Sequence, residues 1–237
     1  MIFRAISPLL LVLALLVACR NETTPAVDTA PPSAATAEQT SGAERGLPEV
    51  HSYAHRLDDP KRGEWQRPEE VIELLECEDG MTAVDLGAGT GYFLKYLSKA
   101  VGPEGAVLAL DLSPRTIDLL AGRIEEEGLG NVRPLVVPPD EPSLAPRSVD
   151  RILVVNTWHH IFGRVEYAKK LRETLRRTGL LLIVDFTMES PIGPPAAKRL
   201  TRDTVVQELR DAGFVALVLE ESLPHQYVIA GRRGGLR

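Results

Sequence analysis

The stretch Val84-Asp85-Leu86-Gly87-Ala88-Gly89-Thr90-Gly91-Tyr92 constrains this chain more than any other feature. A short apolar run, Met81–Leu86, leads into it. A segment with Phe93, Tyr96, Leu97, Ala100 and Val101 on one helical face follows. Alternating glycines therefore fall in a turn between a strand and a helix. Lacking side chains, they admit positive φ angles and let another group come close to the backbone. The turn ends at a helix N-terminus, where free N–H groups favour a negative charge.

Apolar runs and helical patterns keep alternating downstream. Ala106–Leu110, Val132–Val137, Val149–Val155 and Gly179–Asp185 read as strands. Ser113-Pro114 opens a helix with a capping hydroxyl and a proline at its first position, and Ile117, Leu120, Ala121 and Ile124 form its inward stripe. A second helix covers about Arg164–Arg177. A third runs from a Thr201 cap to Gly213, with Val205, Val206 and Leu209 facing in. Phe214–Leu219 and Tyr227–Ala230 predict a closing hairpin. Continuous apolar strands between helices mean an α/β fold, a mostly parallel sheet covered by helices on both faces. Ligands of such sheets bind at the carboxyl ends of the strands.

Two cofactor classes use a glycine turn of this kind. The dinucleotide fingerprint G-x-G-x-x-G expects a glycine where Tyr92 stands, which disfavours a nicotinamide oxidoreductase. The spacing D-x-G-x-G-x-G, from Asp85 to Gly91, resembles motif I of class I S-adenosylmethionine-dependent methyltransferases. The resemblance covers about residues 50–237 and is closest to the ubiquinone-biosynthesis-like type. It implies a Rossmann-like, seven-stranded, mostly parallel sheet with a C-terminal antiparallel hairpin, and S-adenosylmethionine as cofactor. By that resemblance Asp85 binds or orients the cofactor's ammonium, and Gly87, Ala88, Gly89 and Gly91 admit its methionine portion. Asp111, 20 residues after Gly91, accepts from the ribose hydroxyls. Asp140 accepts from the adenine amino group, while Leu112 and Pro139 flank the ring. Asn156, at the end of the fourth strand, completes the cofactor set. The segment His51–Arg56 with Trp65-Gln66-Arg67-Pro68 looks like a helical cover over the cofactor, placing Tyr53 against the substrate.

Methyl transfer from a sulfonium is a displacement, so the site must hold donor and acceptor in line and exclude water. The fourth strand ends in Asn156-Thr157-Trp158-His159-His160, where this fold faces the transferring methyl. His159 or His160 is the candidate general base, and Trp158 and Asp185 are candidate acceptor-lining residues. The stretch is not the Asp/Asn-Pro-Pro-aromatic motif of methyltransferases acting on adenine or glutamine. No metal-ligand spacing accompanies the histidines, so no metal is expected. The expected reaction is methyl transfer to a small-molecule acceptor. A second reading is a lipoprotein that keeps the fold and binds S-adenosylmethionine or S-adenosylhomocysteine without turnover.

The formal net charge of −6 and the lack of a long basic run argue against a nucleic-acid partner. The two cysteines, Cys19 and Cys77, build no disulfide framework, and Cys77 reads as a small hydrophobe. Residues 1–18 resemble a signal peptide, with Arg4 before the apolar run Leu9–Val17. Leu16-Val17-Ala18-Cys19 resembles a bacterial lipobox, which implies a lipid on Cys19 and a periplasm-facing place in the cell envelope. Residues 19–48, rich in Thr, Ala, Pro, Ser and Glu, form an expected disordered tether. The methyltransferase domain is then 49–237. If the leader is instead a mis-assigned start, the protein is cytoplasmic.

Overall fold

Hydrophobic alternation places one sheet at the centre of the domain. The computed structural model describes residue 59 and residues 61–234. The expected leader 1–18, the tether 19–48, Cys19 and Tyr53 lie outside the described residues. Two short helices come first, α1 (Arg62–Gln66) and α2 (Pro68–Leu75). The core then alternates: β1 (Thr82–Leu86), α3 (Leu94–Val101), β2 (Ala106–Asp111), α4 (Pro114–Glu126), β3 (Val132–Val136) and β4 (Val149–Val155). A single 3-10 turn, Trp158–His160, leads to α5 (Arg164–Thr174) and β5 (Leu175–Phe186). A second 3-10 turn, Ala196–Lys198, precedes α6 (Arg202–Asp211), β6 (Val215–Leu219) and β7 (Gln226–Arg232).

The seven strands lie in the order β3-β2-β1-β4-β5-β7-β6. β1 pairs in parallel with β2 and β4, β2 with β3, and β4 with β5. β7 is antiparallel to both β5 and β6. This is the Rossmann-like sheet, mostly parallel with an antiparallel C-terminal pair, that the sequence predicts. Successive strand side chains point to opposite faces. Val84 of β1 packs with α5 and α6 through Leu171, Val205 and Leu209. Its neighbour Ala83 packs on the other face, among Val71, Leu94, Leu97 and Leu120. Pro134 is tolerated in β3 because β3 is an edge strand.

Local signals set several boundaries where expected. Ser113 caps α4, its side chain accepting from the Thr116 N–H, with Pro114 at the first position. Thr201 caps α6 in the same way, accepting from the Thr204 N–H. Two expectations change. Ala121 is exposed, and α4 buries Leu120 with Ile117 and Ile124 half-buried. The helix expected to reach Arg177 ends at Thr174, and β5 starts at Leu175. Leu175 pairs with Val149, and the Thr174 and Glu173 carbonyls accept from the Ser148 and Arg147 N–H groups. Strand pairing there overrides the helix propensity of the charged run.

Candidate functional site

The glycine turn is fastened to β2 before any ligand is considered. The Gly87 and Ala88 N–H groups both donate to the Leu110 carbonyl, at 2.8 and 3.0 Å. Gly87 has φ +75°, and a Cβ there would stand 2.4 Å from Thr157 Cγ2. Gly91, at φ +81°, would put a Cβ 2.8 Å from Leu120. These glycines are thus required by close packing of β4 and α4 against the turn as well as by its conformation. A cavity of about 550 Å³ opens beside the turn. Asp85, Gly87, Ala88 and Gly89 line it, as do Asn156, His159 and His160 from the end of β4.

Asp85 ends β1 with only 3% exposure. Its Oδ2 has no hydrogen-bond partner among the described residues. Burial pushes its pKa up to about 7; Arg62 opposes that shift and Asp111 adds to it. Thr90 Oγ1, in the turn, is a second buried polar atom without a partner there. Asp111 ends β2 and accepts from the Ser113 N–H at 3.0 Å and the Gly89 N–H at 3.2 Å. Burial raises its pKa too, against those backbone donors. Leu112 beside it is 66% exposed, a large apolar side chain facing solvent. Asp140 is exposed and stands apart from the cavity wall; its backbone carbonyl accepts from Lys170 Nζ at 2.6 Å.

Arg62 is a site residue that sequence reasoning missed. It lines the cavity from α1, with its guanidinium 3.9 Å from the Tyr92 ring centroid and Nη2 donating to Gln66 Oε1 at 3.3 Å. Gln66 in turn donates to Gln226 Oε1 at 2.7 Å, and Gln226 donates to Asn156 Oδ1 at 2.6 Å. Asn156 Nδ2 closes the ring on Gln66 Oε1 at 3.4 Å. This amide triad holds Asn156 in the left-handed region at φ +54° and ties α1 to β4 and β7. The traceable signal was the i, i+4 spacing of Arg62 and Gln66, which puts both on one helix face.

The acceptor end differs from expectation in two places. Trp158 is fully buried in the core, with Nε1 donating to Glu208 Oε2 at 3.0 Å, and is not on the cavity wall. A large ring at the start of a tight turn fills the space over α6 instead. Asp185 lies behind His159 and not on the wall. His159 Nδ1 is 2.9 Å from both Asp185 oxygens, and the two side chains are 3% and 2% exposed. His160 packs against His159 with ring centroids 4.1 Å apart and the rings tilted by 42°. Its pKa is lowered, chiefly by burial and then by His159. Away from the site, burial pushes the Cys77 thiol up to about 11, as suits a packed side chain.

A glycine turn fastened to β2, an acidic strand end beneath it and a cavity at the carboxyl edge together define one class of protein. Residues 84–181 match the family model described as a methyltransferase domain. The structure of a SAM-dependent methyltransferase from Aquifex aeolicus superposes with a TM-score of 0.73 at 30% identity, covering 76% of this chain and 97% of that one. The chain belongs to the class I S-adenosylmethionine-dependent methyltransferase family. Among curated relatives, the protein-L-isoaspartate O-methyltransferase of Methanococcoides burtonii is 30% identical over 48% of this chain and 53% of its own length. The demethylmenaquinone methyltransferase of Geobacillus kaustophilus is 35% identical over 27% of this chain and 28% of its own. The chain thus spans about half the length, or less, of these two relatives.

The cavity fits the family's cofactor. S-adenosylmethionine carries an ammonium and a carboxylate on its methionine arm. The orphaned Asp85 Oδ2 suits the ammonium, and Thr90 Oγ1 with the Arg62 guanidinium suits the carboxylate. Asp111, like Gly91 and Leu112, is not on the cavity wall itself; its carboxylate accepts from the Gly89, Leu112 and Ser113 N–H groups and keeps a lone pair for a ribose diol.

Proposed function

We propose that the protein transfers a methyl group from S-adenosylmethionine to a small-molecule acceptor. The observation that carries this is one continuous cavity joining the glycine turn and Asp85 to the His159 end of β4. Its volume of about 550 Å³ falls in the usual range for small-ligand sites. The cofactor, when bound, supplies an electrophilic methyl on a sulfonium. Asp85, Thr90 and Arg62 hold its amino-acid end, and Asp111 its ribose. Trp65 and Phe186, with ring centroids 6.0 Å apart, and the Pro191–Pro194 loop give the other side an apolar wall. Such a wall excludes water around the developing bond. It supports a small, partly apolar acceptor, as does the similarity to a quinone-type methyltransferase.

Calorimetric titration of S-adenosylmethionine and S-adenosylhomocysteine into the full chain tests this reading. Micromolar binding, about −8 kcal/mol, is the expected result. Well-folded protein that binds neither sinks it. Binding without turnover of any acceptor favours the non-catalytic lipoprotein instead.

We also propose, from residues 1–48, that the protein is lipid-anchored through Cys19 and faces the periplasm. The apolar run of the leader and the lipobox-like end support this placement.

A further inference from the structure

The pair His159–Asp185 lies outside the cofactor-binding residues and has the layout of a proton acceptor. A carboxylate only accepts hydrogen bonds, so the nitrogen facing Asp185, Nδ1, carries the proton. The other nitrogen, Nε2, is then a lone-pair acceptor on a residue that lines the cavity. Asp185 is held in place by three donors: His159 Nδ1, the His159 N–H at 3.3 Å and the Phe186 N–H at 2.9 Å. The turn bearing His159 is docked on the cofactor turn through Thr157, whose Oγ1 lies 3.5 Å from the Gly87 carbonyl. The turn that carries the base therefore touches the methyl donor's seat directly. The charged and titratable groups around the pair are His160 on the same turn, Tyr227 on β7 and Lys198 beyond His160.

Resting on the methyl-transfer reading above, we infer that the acceptor is a phenol-like hydroxyl compound and that His159 Nε2 removes its proton, with Asp185 as the positioning residue. An ionised carboxylate acceptor has no proton to lose, and it would meet the buried Asp185 charge behind the imidazole. The Trp65 and Phe186 rings and Ile192 between prolines offer flat apolar surface for an aromatic ring. As the hydroxyl proton passes to Nε2, a C–O bond forms on the acceptor oxygen. The donor's C–S bond breaks and its electron pair returns to sulfur. The imidazolium is held by Asp185 and gives its proton to water after the product leaves.

The test uses the full chain with S-adenosylmethionine and two phenols, following S-adenosylhomocysteine release. 4-Nitrophenol is partly ionised near neutral pH, whereas 4-methoxyphenol is not. His159→Gln is expected to lower kcat for 4-methoxyphenol by about 100-fold. The loss with 4-nitrophenol should be under about 10-fold and should shrink as the pH rises, because that acceptor ionises without help. Asp185→Asn should show the same dependence on acceptor acidity, with cofactor affinity unchanged in both variants. Equal losses for the two phenols, a ring-carbon product, or no turnover of either phenol by protein that binds the cofactor would each overturn the inference. Failure to bind the cofactor at all would instead overturn the methyltransferase reading and take this inference with it.

Discussion

Asp85 holds a nearly inaccessible carboxyl whose Oδ2 lacks a partner among the described residues, and its pKa rises from 3.8 to about 7. A carboxyl raised in this way favours the folded state in its protonated form. That contribution is fully present below about pH 4 and is lost as the pH rises through 7. The cost of the buried charge above that point is on the order of 4 kcal/mol. Asp85→Asn should therefore raise the Tm of ligand-free protein at pH 8 and leave it nearly unchanged at pH 4, as thermal unfolding at both values would show. The same variant should weaken S-adenosylmethionine binding by about 10-fold or more, the worth of a charge-assisted hydrogen bond. In the unsubstituted protein a bound ammonium favours ionised Asp85, so cofactor affinity should fall as the pH drops below 7, with proton release on binding. Calorimetry in buffers of different ionisation enthalpy reads that release, and its absence would argue against contact between Asp85 and the ammonium. Asp85 was legible because motif, strand end and helix start coincide on it. Arg62 was not, since a cation on a short helix reads as solvated surface until the rings of Trp65, Tyr92 and Phe93 are placed around it.

At the scale of elements, two contacts assemble the site from pieces distant in sequence. The amide triad links α1, the end of β4 and the start of β7, and two of its members, Gln66 and Gln226, are 0% and 1% exposed. Gln226→Leu leaves Gln66 and Asn156 each short of a partner, at about 1–3 kcal/mol per unsatisfied group. A lower denaturation midpoint is expected, together with weaker cofactor binding as Gln66, which accepts from Arg62, loses its own anchor on Gln226. An unchanged midpoint would mean that water replaces the lost amide without cost. The second contact is Gly87 against Thr157. Gly87→Ala should destabilise by about 2 kcal/mol or more, from its positive φ and the clash together. Adding Thr157→Gly should recover the clash and not the φ component, which a double-mutant cycle separates. The triad was invisible in the sequence because its members are far apart: Asn156 was legible as a strand-end site residue, but nothing in the sequence joined it to Gln66 or Gln226. Gly87 was legible as a turn glycine, but its neighbour Thr157, 70 residues away, was not.

At the scale of the whole molecule, the chain leaves β1 toward β2 and β3 on one side, while β4 and β5 lie on the other. The crevice opens where those directions diverge, at the carboxyl ends of β1 and β4. Alternating apolar runs and helices made that part of the fold legible. They carried no information on β7 entering between β5 and β6, because an apolar run has the same periodicity in either order. Pairing from Leu180↔Arg232 to Phe186↔Gln226 settles it and brings Gln226 to Asn156. The proposed anchor belongs to this scale as well. The chain carries a net charge of −6, so anionic membrane surfaces repel it and membrane affinity has to come from lipid on Cys19. Expressed as the full chain in a bacterial host, the protein should sediment with membranes, resist extraction by salt and yield to detergent. Cys19→Ser should abolish that behaviour and the lipid's mass increment, while cofactor affinity stays unchanged. A salt-extractable or wholly cytosolic unsubstituted chain would overturn the anchor and leave the methyltransferase reading standing, because every described residue assigned to the site lies beyond position 58. Retention in the envelope would instead place an S-adenosylmethionine site outside the compartment where that cofactor is made. Turnover in intact cells would then be limited by cofactor supply, and lysis in the presence of added S-adenosylmethionine should raise it.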